Sequence, residues 1–221
     1  MKDKYARIQR ELSDWDDTVR RRKITLSNPV FIKGLALAPL VIAATSLANS
    51  LILSLAVLLI LTPTRVITSL ITRRMSVPLK TFFYPLVSAV VFGIAYYLMY
   101  RMLGVAAFSL GVYLPILVVD PLIVKNFEKT RKEEFLFSII NGLRNTAGFI
   151  TACIITGCIR EILAFGTLGG VTLLSVRLLP MAQNSFGGFL VIGFMSALWR
   201  ACVAIYHDNL LREEAAYAGG N

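Results

Sequence analysis

The sequence predicts an all-α membrane protein with six transmembrane helices, and three observations lead to this fold class. Of its 221 residues, 56% are hydrophobic and 16% are charged, whereas a soluble domain is about 45–50% apolar and about 25% charged. Several windows contain the roughly 20 apolar residues that a helix needs to cross a bilayer. Basic residues are concentrated in the short segments between these windows, which is typical of membrane topology.

The distribution of basic residues predicts the orientation of the chain and argues against a nucleic-acid partner for its net charge of +10. With the N-terminus in the cytoplasm, the inner segments 1–33, 65–80, 125–132 and the tail from residue 200 hold nine, four, four and two Lys/Arg. The outer segments hold Arg101, Arg160 and Arg177. We therefore expect both termini to be cytoplasmic. The first 27 residues have no apolar core, so we expect no cleavable signal peptide.

Residues 1–27 are predicted to form a cytoplasmic polar arm. Apolar residues recur in it at steps of three and four, which is typical of an amphipathic helix. They are Tyr5, Ile8, Leu12, Trp15 and Val19. Two interpretations remain open: the helix lies on the inner leaflet or docks to a partner, or the arm is solvated and only fixes orientation.

Residues 28–206 are predicted to form the six-helix membrane domain, followed by a charged cytoplasmic tail at 207–221. The expected spans are about 29–48, 50–72, 81–100, 103–124, 135–159 and 181–199. Arg65 in the second span is expected to extend toward the membrane interface. Residues 162–181 are apolar but contain Gly166-Thr-Leu-Gly-Gly170, which predicts a re-entrant or surface segment instead of a span.

Spans one and four are expected to be broken helices. Each contains a small or polar residue followed by proline, at Ala38-Pro39 and Asp120-Pro121, and a proline inside a helix removes a backbone hydrogen bond. The two prolines are 82 positions apart, and spans one and four cross the membrane in opposite directions. This arrangement is compatible with a three-plus-three inverted repeat, in which broken helices mark the functional site.

Several motifs carry a resemblance to a known family. They are Asn28-Pro29, Gly34-Leu-Ala-Leu-Ala-Pro-Leu40, Leu114-Pro-Ile-Leu-Val-Val119, Asn141-Gly142 and Ile159-Arg-Glu-Ile-Leu-Ala-Phe-Gly-Thr-Leu168. On these residues the chain resembles the RnfE/NqrD-type membrane subunits of the Rnf and Nqr redox-driven ion pumps. The resemblance implies the six-helix inverted repeat, a multi-pass location in the bacterial inner membrane, and other subunits that include one of the same fold and opposite orientation. It assigns structural roles to motif residues that include Gly34, Pro39, Pro115, Arg160, Glu161 and Gly166.

The chain departs from this family where a cofactor is expected. The family has a cysteine at each break, and together with counterparts in the partner subunit these cysteines hold a [2Fe–2S] cluster, which needs four protein ligands. The corresponding positions here are Ala38 and Pro121, and neither residue can ligate iron. The three cysteines of the chain, Cys153, Cys158 and Cys202, lie elsewhere. We therefore expect this chain alone to bind no metal.

Asp120, Asn141 and Arg144 form the candidate intramembrane polar site. A charge within a span costs several kcal/mol unless it is paired or hydrated, so such residues indicate a functional site. Our hypothesis is that Asp120 and Arg144 form an internal ion pair. The alternative is that they lie close enough to the cytoplasmic interface to reach water.

Arg160-Glu161 is open to two interpretations as well. The pair resembles an acid–base couple, but it stands at a helix end, where a structural role through hydrogen bonds to the following turn is favoured.

The main functional expectation is a membrane subunit of a complex that couples ferredoxin oxidation and NAD reduction to Na⁺ or H⁺ transport, without the conventional cluster. The subunit is not expected to be catalytic alone, because the sequence contains no nucleophile–base pair, metal-ligand cluster or phosphate-binding loop. One alternative is a diverged transporter, which would purify without redox partners. The other is a scaffold or assembly protein that binds its partner through the arm.

Overall fold

The fold is given by a computed structural model that describes residues 8, 12–13, 15, 26–71, 77–111, 113–116 and 135–218. The helices are α1 (Leu37–Ala43), α2 (Leu47–Ile71), α3 (Val77–Leu103), α4 (Tyr113–Ile116), α5 (Phe135–Phe165) and α6 (Ser185–Ala218). Two 3₁₀ segments lie at Gly104–Leu110 and Pro180–Gln183, and a small antiparallel hairpin pairs β1 (Thr167–Leu168) with β2 (Val171–Thr172).

The structure confirms an all-α membrane protein. Within the described residues, four helices are long and apolar enough to cross a membrane: α2, α3 with its 3₁₀ extension, α5 and α6. Their apolar stretches are Leu47–Ile67, Pro85–Leu110, Leu143–Phe165 and Ser185–Ala216. In the predicted first span, the seven residues of α1 form one short helix and α2 begins at Leu47. The predicted fourth span contains the 3₁₀ segment and α4 in its described part. The six-span inverted repeat therefore stays a prediction.

The long helices α2 and α5 pack together as an antiparallel pair. Near one end the Thr62 and Thr146 hydroxyls are 2.8 Å apart, and near the other end Glu161 accepts a hydrogen bond from the Leu47 amide. Between these points the helices approach closely, because a Cβ on Gly157 would collide with the side chain of Ser50. Small residues allow such close approach between membrane helices. The second and fifth spans of an inverted repeat also run antiparallel.

Two boundaries differ from the sequence expectations. Helix α5 continues to Phe165, beyond the expected end near 159. Helix α6 continues to Ala218, so most of the expected tail is helical. At about 1.5 Å per residue its 34 residues reach roughly 50 Å, well beyond a hydrocarbon core of about 30 Å. Arg65 was expected to extend toward the membrane interface; its side chain is 2% exposed and thus buried in the protein, and its depth in the membrane stays a prediction.

The described part of the N-terminal arm contacts this helical extension of α6. The ring of Trp15 lies 4.4 Å from the ring of His207 and 6.3 Å from that of Tyr206, measured between centroids. Ile8 is 4% exposed. The ring contacts place Trp15 against the protein's own helix, and both sequence interpretations of the arm stay predictions.

Candidate functional site

The first break lies between Asn28 and Leu47 and consists of turns around one short helix. Gly34 has φ +67° and Ala36 has φ +55°, so two residues just before α1 have left-handed backbone. The left-handed conformation costs a residue with a Cβ roughly 1–2 kcal/mol, which the surrounding contacts must offset at Ala36. Pro39 is the third residue of α1, in the first turn, where its missing N–H costs no helical bond. The proline therefore starts a short helix and does not kink a longer one.

Arg160 of α5 joins this break to the start of α6. Its side chain is fully buried, and each of its five N–H groups has a backbone carbonyl acceptor. The bonds run from Nε to Ala182 at 2.8 Å, from Nη1 to Val41 at 2.6 Å and Ala44 at 3.0 Å, and from Nη2 to Gln183 at 3.0 Å and Asn184 at 3.4 Å. Because Arg160 lies within the apolar stretch of α5, we expect these carbonyls to lie at membrane depth.

Irregular backbone at that depth is tolerated only where the protein itself makes hydrogen bonds to its polar groups. Arg160 donates these hydrogen bonds. Val41 and Ala44 are at the C-terminal end of α1, where the helix dipole favours a positive charge. The guanidinium also fits closely against α6: a Cβ on Gly188 would lie 2.9 Å from its Cζ and 3.1 Å from the Val41 oxygen.

Glu161, the next residue, makes the complementary contact at the start of α2. Its Oε2 accepts a hydrogen bond from the Leu47 amide at 2.7 Å, and its Oε1 accepts one from the Thr167 hydroxyl at 3.4 Å. A carboxylate at a helix N-terminus is favoured by the exposed amides and the dipole. The pair Arg160-Glu161 therefore holds both sides of the gap between α1 and α2. The structural interpretation expected hydrogen bonds to the turn that follows α5, and the bond from Thr167 to Glu161 is one of these. The role of the pair stays a prediction.

Asn28 holds the other end of the break. It is completely buried, its Nδ2 donates to the Gly148 carbonyl of α5 at 2.9 Å, and its Oδ1 accepts bonds from the Val30 and Phe31 amides. The next turns close through bonds from Ile32 to Asn28 and from Gly34 to Val30. Asn28 thus acts as a cap for the first turns and as an attachment to α5. The sequence offered an Asn-Pro turn signal here, but no signal for the contact with Gly148.

The position of the family's first cysteine faces the surface of the chain. Ala38 is exposed, while Pro39 and Leu40 beside it are buried. Helix α1 contacts α4, so the described beginning of the second break lies next to the first. Within α4, Leu114 is 1% exposed and Pro115 is exposed. Asp120 and Pro121 lie outside the described residues.

The residues present do not fit an iron–sulfur cluster held by this chain. Ala38 has no ligand atom, and the Cys153 thiol is fully buried and donates to the Ser50 carbonyl at 3.4 Å. Cys158 is half-buried and Cys202 is exposed, and all three cysteines are free. Among the described residues, no group of three or more His, Cys, Asp or Glu is arranged to hold a metal.

The candidate polar site is only partly described. Arg144 is half-buried and is the second residue of the apolar stretch Leu143–Phe165. Asn141 belongs to α5, three positions before it. The ion pair between Arg144 and Asp120 stays a prediction. Sequence reasoning missed the buried polar residues beside this level, Thr64 and Asn145, because single Thr and Asn residues in an apolar helix carry no pattern.

The spanning helices, the break at membrane depth and the charged pair that holds it define a multi-pass membrane protein with an interrupted helix. The sequence matches the Rnf-Nqr subunit membrane protein family over residues 18–196, and the chain belongs to this family. Gly166, which ends α5 with φ +72°, lies within the family motif that begins at Ile159.

Curated relatives extend over most of the chain. A subunit of a proton-translocating ferredoxin:NAD(+) oxidoreductase complex from Clostridium ljungdahlii is 24% identical over 193 residues, covering 86% of this chain and 89% of the relative. A subunit of an ion-translocating oxidoreductase complex from Aliivibrio fischeri is 26% identical over 205 residues, covering 86% and 90%. The subunit of the same name from Haemophilus influenzae is 29% identical over 143 residues, covering 64% and 61%.

Proposed function

We propose that this chain is the RnfE-type membrane subunit of an inner-membrane complex that couples electron transfer between ferredoxin and NAD to ion movement. The observation that carries the proposal is the family match over residues 18–196. Relatives named as subunits of ion-translocating oxidoreductases match across 86% of the chain. This support favours the redox complex over the alternatives of an independent transporter or a scaffold. The distribution of Lys and Arg favours a cytoplasmic location for both termini.

The exposure of the first break supports the presence of a partner subunit at this face. Lys33, Gly34 and Ala38 are exposed, and Arg160 ties the end of this segment into the apolar depth of α5. Turns and helix ends cannot face lipid hydrocarbon. A second membrane subunit, of the same fold and opposite orientation as the resemblance implies, covers this face.

At the interface with the partner subunit, this chain contributes the short helix α1, which carries no thiolate ligand. Asn28, Arg160 and Glu161 fix the backbone that carries Ala38. Since Ala38 has no ligand atom, we assign no electron-transfer step to this position. The polar residues Asp120, Asn141 and Arg144 are the charged or amide groups that we propose for the ion path.

Purification of the native complex through a tag on this chain tests the proposal. We expect the other membrane and redox subunits to co-purify, ferredoxin-dependent NAD reduction to be present, and ion uptake into vesicles to depend on it. Purification of the chain alone, with no redox activity in the membranes, would contradict the proposal.

Labelling of an Ala38→Cys variant tests the interface separately, in a background where Cys158 and Cys202 are alanine. A maleimide should react with Cys at position 38 in the isolated chain in detergent and should be excluded in the complex. A cysteine at the exposed position 212 of α6 serves as the control that reacts in both. Equal reactivity of position 38 in both preparations argues against a partner at this face.

A further inference from the structure

The segment that joins α5 to α6 exposes an unusual amount of apolar surface. Between residues 171 and 181, seven large apolar side chains are exposed. The most exposed are Val171 at 65%, Val176 at 68% and Leu178 at 61%. A surface of this kind on a connecting segment indicates a lipid or protein contact.

The segment does not extend away from the membrane domain. The Gly166 carbonyl accepts bonds from the amides of Leu173 and Leu174, and the Leu179 amide donates to the Leu163 carbonyl at 2.7 Å. Leu163 is two residues before the end of α5, so Leu179 lies within about 3 Å of that helix end along its axis. The chain therefore leaves α5, forms the β1–β2 hairpin and turns back to the same level.

The chain then continues past the end of α5 to the level of Arg160, within the apolar stretch of that helix. Ala182, Gln183 and Asn184 bind Arg160, which is five residues, or roughly 7–8 Å, before the end of α5. Helix α6 thus begins below the level at which α5 ends. The exposed apolar residues of 171–181 are therefore tied back to the last turn of α5, where its apolar stretch ends.

The charge of the segment identifies the surface that it contacts. No Asp or Glu occurs between Glu161 and Asp208, and Arg177 is the one Lys or Arg between 161 and 199. Arg177 is exposed and stands between Val176 and Leu178. Apolar side chains around a single cation match an interface where acyl chains lie beneath anionic phosphates, and Arg side chains reach such phosphates from apolar surroundings.

We propose that residues 171–181 form a lipid-binding loop in the membrane interface, with Val176 and Leu178 among the acyl chains and Arg177 on lipid phosphate. The loop anchors the junction of α5 and α6 above the level where Arg160 holds its backbone. Its irregular backbone remains at the depth of the headgroups, where water is available.

Spin labels on the full chain in nanodiscs of phosphatidylglycerol and phosphatidylethanolamine test this placement. Cysteines at Val176, at Phe194 (the tenth residue of α6) and at Arg212 are labelled one at a time, with Cys158 and Cys202 replaced by alanine. Accessibility to oxygen and to a water-soluble nickel complex gives the depth of each label. Position 176 should lie between the lipid label at 194 and the water label at 212, within roughly 5–10 Å of the headgroup boundary.

The same label at 176 tests the role of the charge. Arg177→Gln should lower the ratio of oxygen to nickel accessibility by up to about fivefold in these anionic discs, because one basic residue near the surface contributes that much to membrane association. A nickel accessibility at 176 equal to that at 212 overturns the proposal. Low accessibility to both reagents, in the isolated chain or only in the assembled complex, also overturns it and assigns the loop to a protein contact.

Discussion

The two ends of the first break are attached to the same helix in different ways. At one end the neutral side chain of Asn28 donates a bond to Gly148 of α5 and accepts two bonds from its own turn. At the other end Arg160 gives all five donors to carbonyls of two separate segments, and Glu161 binds the start of α2. The two sites on α5 are twelve residues, or about 18 Å, apart. Charged side chains hold the end where several helix ends meet. A neutral cap holds the end where one turn begins.

This difference predicts that the Arg160 end contributes more to stability than the Asn28 end. The test is the free energy of unfolding, or the Tm, of matched variants of the full chain in detergent.

The largest effect is expected for Arg160→Met. Methionine fills similar space but donates no hydrogen bond, so five carbonyls at membrane depth lose a partner, and each buried polar group left without one costs about 1–3 kcal/mol. A total of at least about 4 kcal/mol, or failure to purify as a folded monomer, is the expected outcome. Arg160→Lys retains a charge with three donors and should recover part of the loss.

Arg101→Met is the control for this pair of variants. Arg101 is exposed at the end of α3, and its substitution should change stability by about 0.5 kcal/mol or less. If Arg160→Met were as stable as Arg101→Met, the five carbonyl bonds would not hold the break.

The next effect is steric and tests the fit of α6 against the guanidinium. A Cβ on Gly188 would lie 2.9 Å from Nη2 of Arg160 and 3.1 Å from a carbonyl, so Gly188→Ala should cost about 1–3 kcal/mol through overpacking. Gly193→Ala on the same helix has no atom within 4 Å of the added Cβ and should be neutral or stabilising. Equal melting temperatures of the two variants would show that α6 is free to move away from Arg160.

The sequence predicted where the first break and Arg160 lie along the chain better than it predicted which residues they contact. Composition alone identified the membrane class, and prolines identified the first break, because both signals are local. The position of Arg160 at a helix end favoured a structural role. Its contact with Val41 lies 119 positions away and has no sequence pattern, so the connection of α1, α5 and α6 could not be predicted.

The errors have a physical cause as well. Spans were predicted from continuous apolarity, so the end of the sixth was placed near 199. Helix α6 continues to Ala218 through charged residues that are good helix formers, and it carries the contact with Trp15. Arg65 was expected to extend toward the interface because long cations often do so; the structure shows that its side chain is buried.

Glu161→Ala should have a smaller effect than either change at Arg160 or Gly188. It removes the acceptor for the Leu47 amide and a negative charge from the start of α2, which together are worth about 1–2 kcal/mol. Glu161→Gln keeps an oxygen acceptor and loses the charge, so it should lie between the wild type and Glu161→Ala. If Gln and Ala cost the same, the charge and not the hydrogen bond supports α2.

The smallest effect is expected at the opposite end of the break, for Asn28→Ala. The cap of a first turn contributes about 1 kcal/mol, and the Gly148 carbonyl also lies within a helix that can satisfy it. Asn28→Ser retains a short side-chain acceptor for the turn but cannot reach Gly148, so its melting temperature separates the cap from the attachment to α5. Asn49→Ala, which removes a half-buried bond to Thr45, is the matched control. If Asn28→Ala were as damaging as Arg160→Met, the two ends would contribute equally, and the placement of charge at only one of them would need another cause.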